Sequence, residues 1–481
     1  MINFRVIARV LSQVVFVEGL FMLAASLVSF AYDEKAGGLV LAAIITVVTG
    51  VLGFTPLRNE EKISGNKEGY IIVTSIWIIL SLFGTLPYLL TGTLNNFTDA
   101  FFESMSGFTT TGATVITDIE AVNRGVLFWR SLSQWLGGLG FILVSLSLLP
   151  VVRSLNIQLP ITDFTGQSSE KINPRITEAT KRLVFVYVLL TISEIILLTA
   201  GKMPLFDAVC NSLSTISTGG FTTRNDGLAS FGSPFILLTI IIFMFLGGTN
   251  LTLVYFALKG NFRKVTGNSE FLFYLSTSVS FIVLVSLLLW MGKGIPAGKA
   301  FLDGSFHVIS VMTTTGFYSL NYGMWGGFLM LIFFILMFTG GSSGSAGSSL
   351  KIIRLLIITK NTRHEIRKMI HPNAVIPVRI DQKTVPDTHV YNILVFTTLY
   401  FVLICLSSLV ISFMDYDIIT SVSTSAAMMG NIGPGIGTFG PFSTYSGMPW
   451  AGKYFLTFLM LVGRLELFSV LALLSVSFYR R

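Results

Sequence analysis

The sequence predicts an all-α polytopic membrane protein: an N-terminal two-helix hairpin, then four units that each read span, half-span, loop, span. Three observations predict it. Of the 481 residues 52% are hydrophobic and only 12% charged, with a mean hydropathy of +0.75, too apolar for a water-soluble globule. Apolar runs of about 20 residues, each able to cross a hydrocarbon layer about 30 Å thick, recur from end to end. The pattern then returns four times at a spacing of about 100 residues, an internal repeat that governs the architecture.

The elements follow in order. Spans at 6–30 and 38–56, joined by the polar turn Asp33-Glu34-Lys35, make the hairpin of residues 1–57. The first run begins near Met1 and carries no small-residue cleavage site, so it reads as a retained span. The first unit, 70–151, has a span at 70–90, a half-span at 96–108, the loop Thr109-Thr110-Thr111-Gly112-Ala113 and a span at 127–151. The second, 181–260, has a span at 183–200, a half-span from Pro204, the loop Ser217-Thr218-Gly219-Gly220-Phe221 and a span at 234–258. The third, 270–360, has a span at 271–291, a half-span at 298–312, the loop Thr313-Thr314-Thr315-Gly316-Phe317 and a last helix over 325–358 that is expected to break. A cytoplasmic linker takes 361–390. The fourth unit, 391–481, has a span at 391–414, a half-span at 416–429, the loop Gly430-Asn431-Ile432-Gly433-Pro434 and a span at 453–478.

The net charge of +8 does not point to nucleic acid, because the Lys and Arg residues sit in short loops and form no stripe with stacking aromatics. They speak for topology instead. With the N-terminus inside, the inner loops and ends collect 23 of the 32 Lys and Arg, which places both termini in the cytoplasm and the four loops near the outer face. Two cysteines, Cys210 and Cys405, make no disulfide framework, and the four His have no metal spacing. No His and carboxylate pair or Ser, His and Asp set stands at catalytic spacing, so an enzyme is not expected.

The loops carry the chemistry. A bare monovalent cation gives up its water only where other oxygens replace it, and a ring of backbone carbonyls does so without fixed charge. Glycine permits the backbone angles that such a loop needs, and threonine hydroxyls add oxygens. Irregular backbone at membrane depth must be buried in protein or line a watery cavity, so the four loops are expected to converge on one pore. The expected filter residues are Thr110, Thr111, Gly112 and Ala113; Thr218, Gly219, Gly220 and Phe221; Thr314, Thr315, Gly316 and Phe317; and Asn431, Ile432, Gly433 and Pro434. The fourth loop lacks Thr beside its glycine, so the ring is not chemically fourfold. Asp99, Glu103, Asp207, Asp303, Asp415 and Asp417 lie near the starts of the half-spans, where they satisfy helix N-termini or attract cations at the mouth.

The third unit's last helix contains Gly340-Gly341-Ser342-Ser343-Gly344-Ser345-Ala346-Gly347-Ser348-Ser349. Glycine costs about 1 kcal/mol in a helix interior relative to alanine, so this run is expected to break the helix inside the membrane and to form a gate under the loops. A close-packing small-residue helix face is the bland alternative. Arg464, inside the last span, either bonds the carbonyls of the broken segment or pairs with Glu466 or another acid. Glu194 reads as interior and paired, with no role, and His307 as a half-span residue with none.

These loops, together with Lys171-Ile172-Asn173-Pro174-Arg175-Ile176, the small-residue run and Gly463-Arg464-Leu465-Glu466-Leu467-Phe468, resemble the Trk/Ktr/HKT superfamily of K⁺ transporters over essentially the whole chain. The initial hairpin points to the TrkH-type bacterial branch. The resemblance implies channel-like K⁺ uptake across the bacterial inner membrane, with K⁺ held at the filter residues and no covalently bound cofactor. It further implies a homodimer with one pore per protomer, on a TrkA-like cytoplasmic regulatory subunit that alone binds nucleotide (ATP/ADP or NAD). Arg363, Arg367 and Lys368 are then a docking face for that subunit, or plain inner-leaflet charge. Gly112 speaks for K⁺, since plant relatives with serine at the first filter glycine carry Na⁺. Relatives often have Thr and more Gly where this chain has Ala346, Ser348 and Ser349, which bears on gate stiffness. A symporter that couples K⁺ to Na⁺ or H⁺ is the alternative, although it predicts inverted repeats and a midplane acid.

Overall fold

The computed structural model describes residues 3–57, 66–147, 172–372, 377–381, 383–467 and, singly, 470, 471, 473 and 475. Among them the chain is helical apart from loops and one two-residue β-hairpin that pairs Arg379 with Thr384 and Ile380 with Lys383. Six helices are long and apolar enough to cross a membrane, and one sharply bent pair makes a seventh such span. Leu27, Leu52, Ile196, Ile242 and Leu409 face outward and exposed, which suits lipid contact and would be a liability in water.

The hairpin forms from Phe4–Ala31 and Gly37–Phe54. A side chain at Gly19 or Gly50 would meet the backbone of Val47 or Phe16, so small residues let the two helices approach closely. The half-helices are Phe97–Phe108, Leu205–Ile216, Ala297–Met312 and Ile418–Met429. Asn96 caps the first through Thr98 N–H (3.0 Å), and Asp417 caps the fourth through Thr420 N–H (3.2 Å). The last helix of one unit leans on the half-helix of the next: Arg124–Ser147 on Leu205–Ile216, Pro234–Gly247 on Ala297–Met312, and Trp450–Arg464 back on Phe97–Phe108. That last contact joins the fourth unit to the first.

Several boundaries differ from the sequence reading. The expected continuous span at 234–258 is two helices, Pro234–Gly247 and Leu251–Leu258, bent by 112°. Gly247-Gly248-Thr249 weakens the helix there, and Asn250 restarts it by accepting from Thr252 N–H (2.9 Å). The carbonyl freed at Gly248 is taken by Ser342 N–H (2.8 Å), a partner no local pattern reveals. The third unit's last helix breaks as expected, between Gly327–Leu336 and Ile352–Ile370, but the second piece runs through the division drawn at 360. The second unit's first helix, Ile172–Ala200, starts before the expected 181. Lys351 and Arg354, counted above with the inner loops, are buried. The ends of the spans expected at 127–151 and 453–478, and Lys171 and Phe468, lie outside the described residues.

Candidate functional site

Each half-helix ends on the same turn. Thr110 N–H donates to Gly107 O (2.9 Å) and Thr111 N–H to Ser106 O (2.8 Å). The counterparts are Thr218 to Thr215 and Gly219 to Ser214, Thr314 to Val311 and Thr315 to Ser310, and Asn431 to Met428 and Ile432 to Ala427. These two bonds close a helix on a left-handed residue, and Thr110, Thr218, Thr314 and Asn431 have φ of 51–61°. A side chain there costs about 1–2 kcal/mol, so the neighbours must impose it.

Two residues on, Gly112, Gly220, Gly316 and Gly433 turn positive again, with φ of 76–92°. A Cβ at Gly112 would fall on the carbonyl of Gly219, at Gly220 on that of Thr315, at Gly316 on that of Ile432, and at Gly433 on that of Thr111. The cycle closes in chain order. Four equivalent carbonyls, of Thr111, Gly219, Thr315 and Ile432, therefore lie in one ring, each against the glycine of a neighbouring loop. Beyond the glycines, Ala113, Phe221 and Phe317 are buried and Pro434 is half-buried. A cavity lined by Gly112, Gly220, Gly433, Pro434, Arg130 and Tyr445 opens onto the ring.

The ring is alike in backbone and unlike in its supports. Nine residues before each glycine stand Glu103, Asn211, His307 and Thr424. Buried Glu103 accepts from Val115 N–H (2.9 Å), Thr114 Oγ1 (3.0 Å) and Arg130 Nε (2.7 Å). Arg130 also donates to Thr222 O (3.2 Å) and lies 3.8 Å from the centre of the Phe221 ring. His307, assigned nothing from sequence, donates from Nδ1 to Asp303 O (2.9 Å) and accepts at Nε2 from Leu320 N–H (3.2 Å). Gln134 donates to Gly219 O (2.6 Å) and accepts from Phe221 N–H (3.2 Å). In the fourth loop Tyr445 donates to Gly433 O (3.0 Å), while Asn431 Nδ2 reaches Thr111 Oγ1 and Met460 O (2.9 Å each). Sequence reading missed Arg130 and Gln134, although two polar residues one helical turn apart in a membrane span were the available signal.

The small-residue run forms a 15-residue irregular segment, 337–351, under the third loop. Ser348 N–H donates to Thr314 Oγ1 (3.0 Å), so the run touches the ring's support directly. Gly340 and Gly341 lie against the carbonyls of Ser348 and Gly248, where a side chain would not fit, and Gly344 turns with φ of 76°. Arg464 Nη1 donates to Ala346 O (2.8 Å) and Ser348 Oγ (3.1 Å), and Nη2 to Gly137 O (3.1 Å). Of its two expected partners, the run is the one it meets, since Glu466 pairs with Arg354. Lys351 Nζ donates to Gly347 O (2.6 Å), Glu270 Oε1 accepts from Ser343 N–H (2.5 Å), Ser345 Oγ donates to Ser342 O (2.7 Å) and Ser349 Oγ to Met337 O (2.9 Å).

The acids divide. Asp99 pairs with Lys453 (2.6 Å) and Asp207 with Arg224 (2.9 Å), whereas Glu103 sits in mid-helix on Arg130. Only Asp417 meets its own helix N-terminus in the capping sense; Asp415 stands before it at a φ of 65°. Glu194 is interior as expected, with the Thr215 hydroxyl beside it and no basic side chain paired to it among the described residues.

A helical bundle with outward apolar faces and four half-helix loops meeting in one ring defines a multi-pass membrane transport protein. The family model described as TrkH, cation transport protein, matches residues 40–478. The chain is 34% identical over its whole length to the whole Trk system potassium uptake protein TrkH of Halomonas elongata. It is 32% identical over 99% of its length to the whole protein of that name in Escherichia coli K12. Its structure matches the potassium transporter TrkH from Vibrio parahaemolyticus with a TM-score of 0.90 and 30% identity, covering all of both chains. The chain belongs to the TrkH family of cation transport proteins and is not an enzyme.

Proposed function

We propose that this chain takes up K⁺ across the bacterial inner membrane in a channel-like way, through a filter built from its four glycine loops. The relatives' names, as potassium uptake proteins, support the ion. The observation that carries the filter is the closed cycle in which each loop glycine lies against a carbonyl of the next loop. Such a ring offers peptide oxygens to a dehydrated ion, and the half-helices aim the negative ends of their dipoles at the space beneath. The irregular run at 340–349, with Arg464, is the gate below it. It is rich in serine, and Ser348 N–H on Thr314 Oγ1 ties it to the third loop.

Both termini lie in the cytoplasm on this reading, and the protein works as a homodimer on a TrkA-like nucleotide-binding subunit, with Arg363, Arg367 and Lys368 on the docking face. Exposed Met369 and Ile370 beside those cations give that helix end an apolar as well as a basic surface. The test is flux in reconstituted vesicles with K⁺, Rb⁺ and Na⁺, with and without such a subunit. K⁺ flux that follows the K⁺ electrochemical gradient alone supports the channel-like reading. Flux that requires an opposing or accompanying Na⁺ or H⁺ gradient replaces it with a coupled symporter.

A further inference from the structure

We infer that Gln134, on the first unit's last helix, is a specificity-determining positioning residue that sets the second loop's carbonyl in the ring. The inference rests on the filter reading above. It begins with a departure in the repeat. The first and third loops read Thr-Thr-Thr-Gly, whereas the second reads Ser-Thr-Gly-Gly. In the first and third, the hydroxyl before the glycine is held by a loop neighbour, Thr111 by Thr109 and Thr315 by Thr313 (2.8 Å each). Gly219 has no hydroxyl to hold.

The space of the missing side chain is filled from outside the loop. A Cβ at Gly219 would fall on the carboxamide of Gln134, so the glycine and the glutamine occupy one volume between them. Gln134 is fully buried and both ends of its amide are used. Phe221 N–H can only donate, which turns Oε1 toward it and leaves Nε2 for Gly219 O at 2.6 Å. The amide thus spans the segment from ring carbonyl to the residue after the ring glycine. Of the four ring carbonyls, Gly219's alone accepts a hydrogen bond among the described residues.

Selectivity in a carbonyl ring depends on where the oxygens stand and how strongly they draw the ion. A buried N–H donor acts on both: it fixes the carbonyl's direction and takes up part of its acceptor capacity. The second quarter of the ring is therefore positioned by the first unit's helix as well as by the turn that closes its own half-helix.

The test is K⁺, Rb⁺ and Na⁺ flux in vesicles containing the full chain, with folding followed by thermal unfolding. Q134M keeps the length of the side chain and removes both bonds; it should lower the K⁺ over Na⁺ preference about tenfold while K⁺ still passes. The swap Q134A/G219T returns the hydroxyl pattern of the first and third loops, with Ser217 beside it, and should regain most of the lost preference. A folded Q134M with unchanged preference overturns the inference, as does a swap no more selective than Q134M. G316S separates the two levels: if it alters selectivity while Q134M does not, Gln134 is packing and the filter stands. If G316S leaves selectivity unchanged too, the filter reading falls.

Discussion

The third unit holds two stretches of irregular backbone inside the membrane, the loop at 313–317 and the run at 340–349, and they are held in opposite ways. The loop is closed by its own helix: Thr314 and Thr315 return to Val311 and Ser310, and Gly316 then sits against the next loop's carbonyl. The run is held in large part by charged side chains, Arg464 from the last helix and Lys351 at its own end on its carbonyls and Glu270 on an N–H, beside scattered backbone bonds such as Ser342 N–H to Gly248 O. Backbone closure is cooperative with the helix and hard to undo locally, whereas a side-chain bond is lost one at a time. The contrast suits a fixed selector above a releasable barrier.

The comparison breaks hardest at Gly316. Gly316→Ser combines a left-handed φ of 76° with a Cβ on the Ile432 carbonyl, so K⁺ over Na⁺ preference in vesicle flux should fall by about tenfold or more. Deleting 341–347 should leave that preference nearly intact and raise basal flux; unchanged flux would make the run mere packing. Arg464→Met removes the donors to Ala346 and Gly137 and should raise basal K⁺ flux about tenfold, again without a selectivity change. Glu270→Gln weakens one charge-assisted bond at Ser343, and a rise of about threefold is expected. A selectivity loss in either variant would erase the division of labour between loop and run.

The smallest effect tests the outer rim. The Asn225 amide (2.9 Å), with the N–H groups of Ala121 and Glu120, holds the exposed Asp118 carboxyl below its ordinary range. A depressed carboxyl stabilises the fold above its ordinary value and loses that contribution as pH falls through the depressed one, so the effect lies below about pH 4. Thermal unfolding of Asp118→Asn should track the parent's at neutral pH after a constant offset and lose less on acidification. Equal acid sensitivity would remove Asp118 from the contact between the first and second outer loops.

What was legible in the chain was whatever a short window decides. The half-helix at 96–108 was readable because Asn96 caps it and Thr109-Thr110 ends it, and the broken helix because four glycines and five serines in ten residues cannot stay helical. The bend at Gly247–Asn250 was not legible, because two glycines in an apolar run are tolerated unless something takes the freed carbonyl, and Ser342 lies far off in sequence. Gln134 and His307 escaped for a related reason: a polar residue shows its use only through a partner, and Gln134's lie on the second loop while His307's second partner, Leu320 N–H, arrives only when the following loop folds back.

By itself, then, the sequence determined the membrane class, the fourfold repeat and the positions of the turning glycines, since hydropathy, period and φ preference are local properties. Only the tertiary structure decided which carbonyl each glycine meets, which side chain braces each loop, and that Arg464 holds the broken segment while Glu466 belongs to Arg354. Those choices depend on distances between residues remote in the chain, and such distances exist only once the helices have packed.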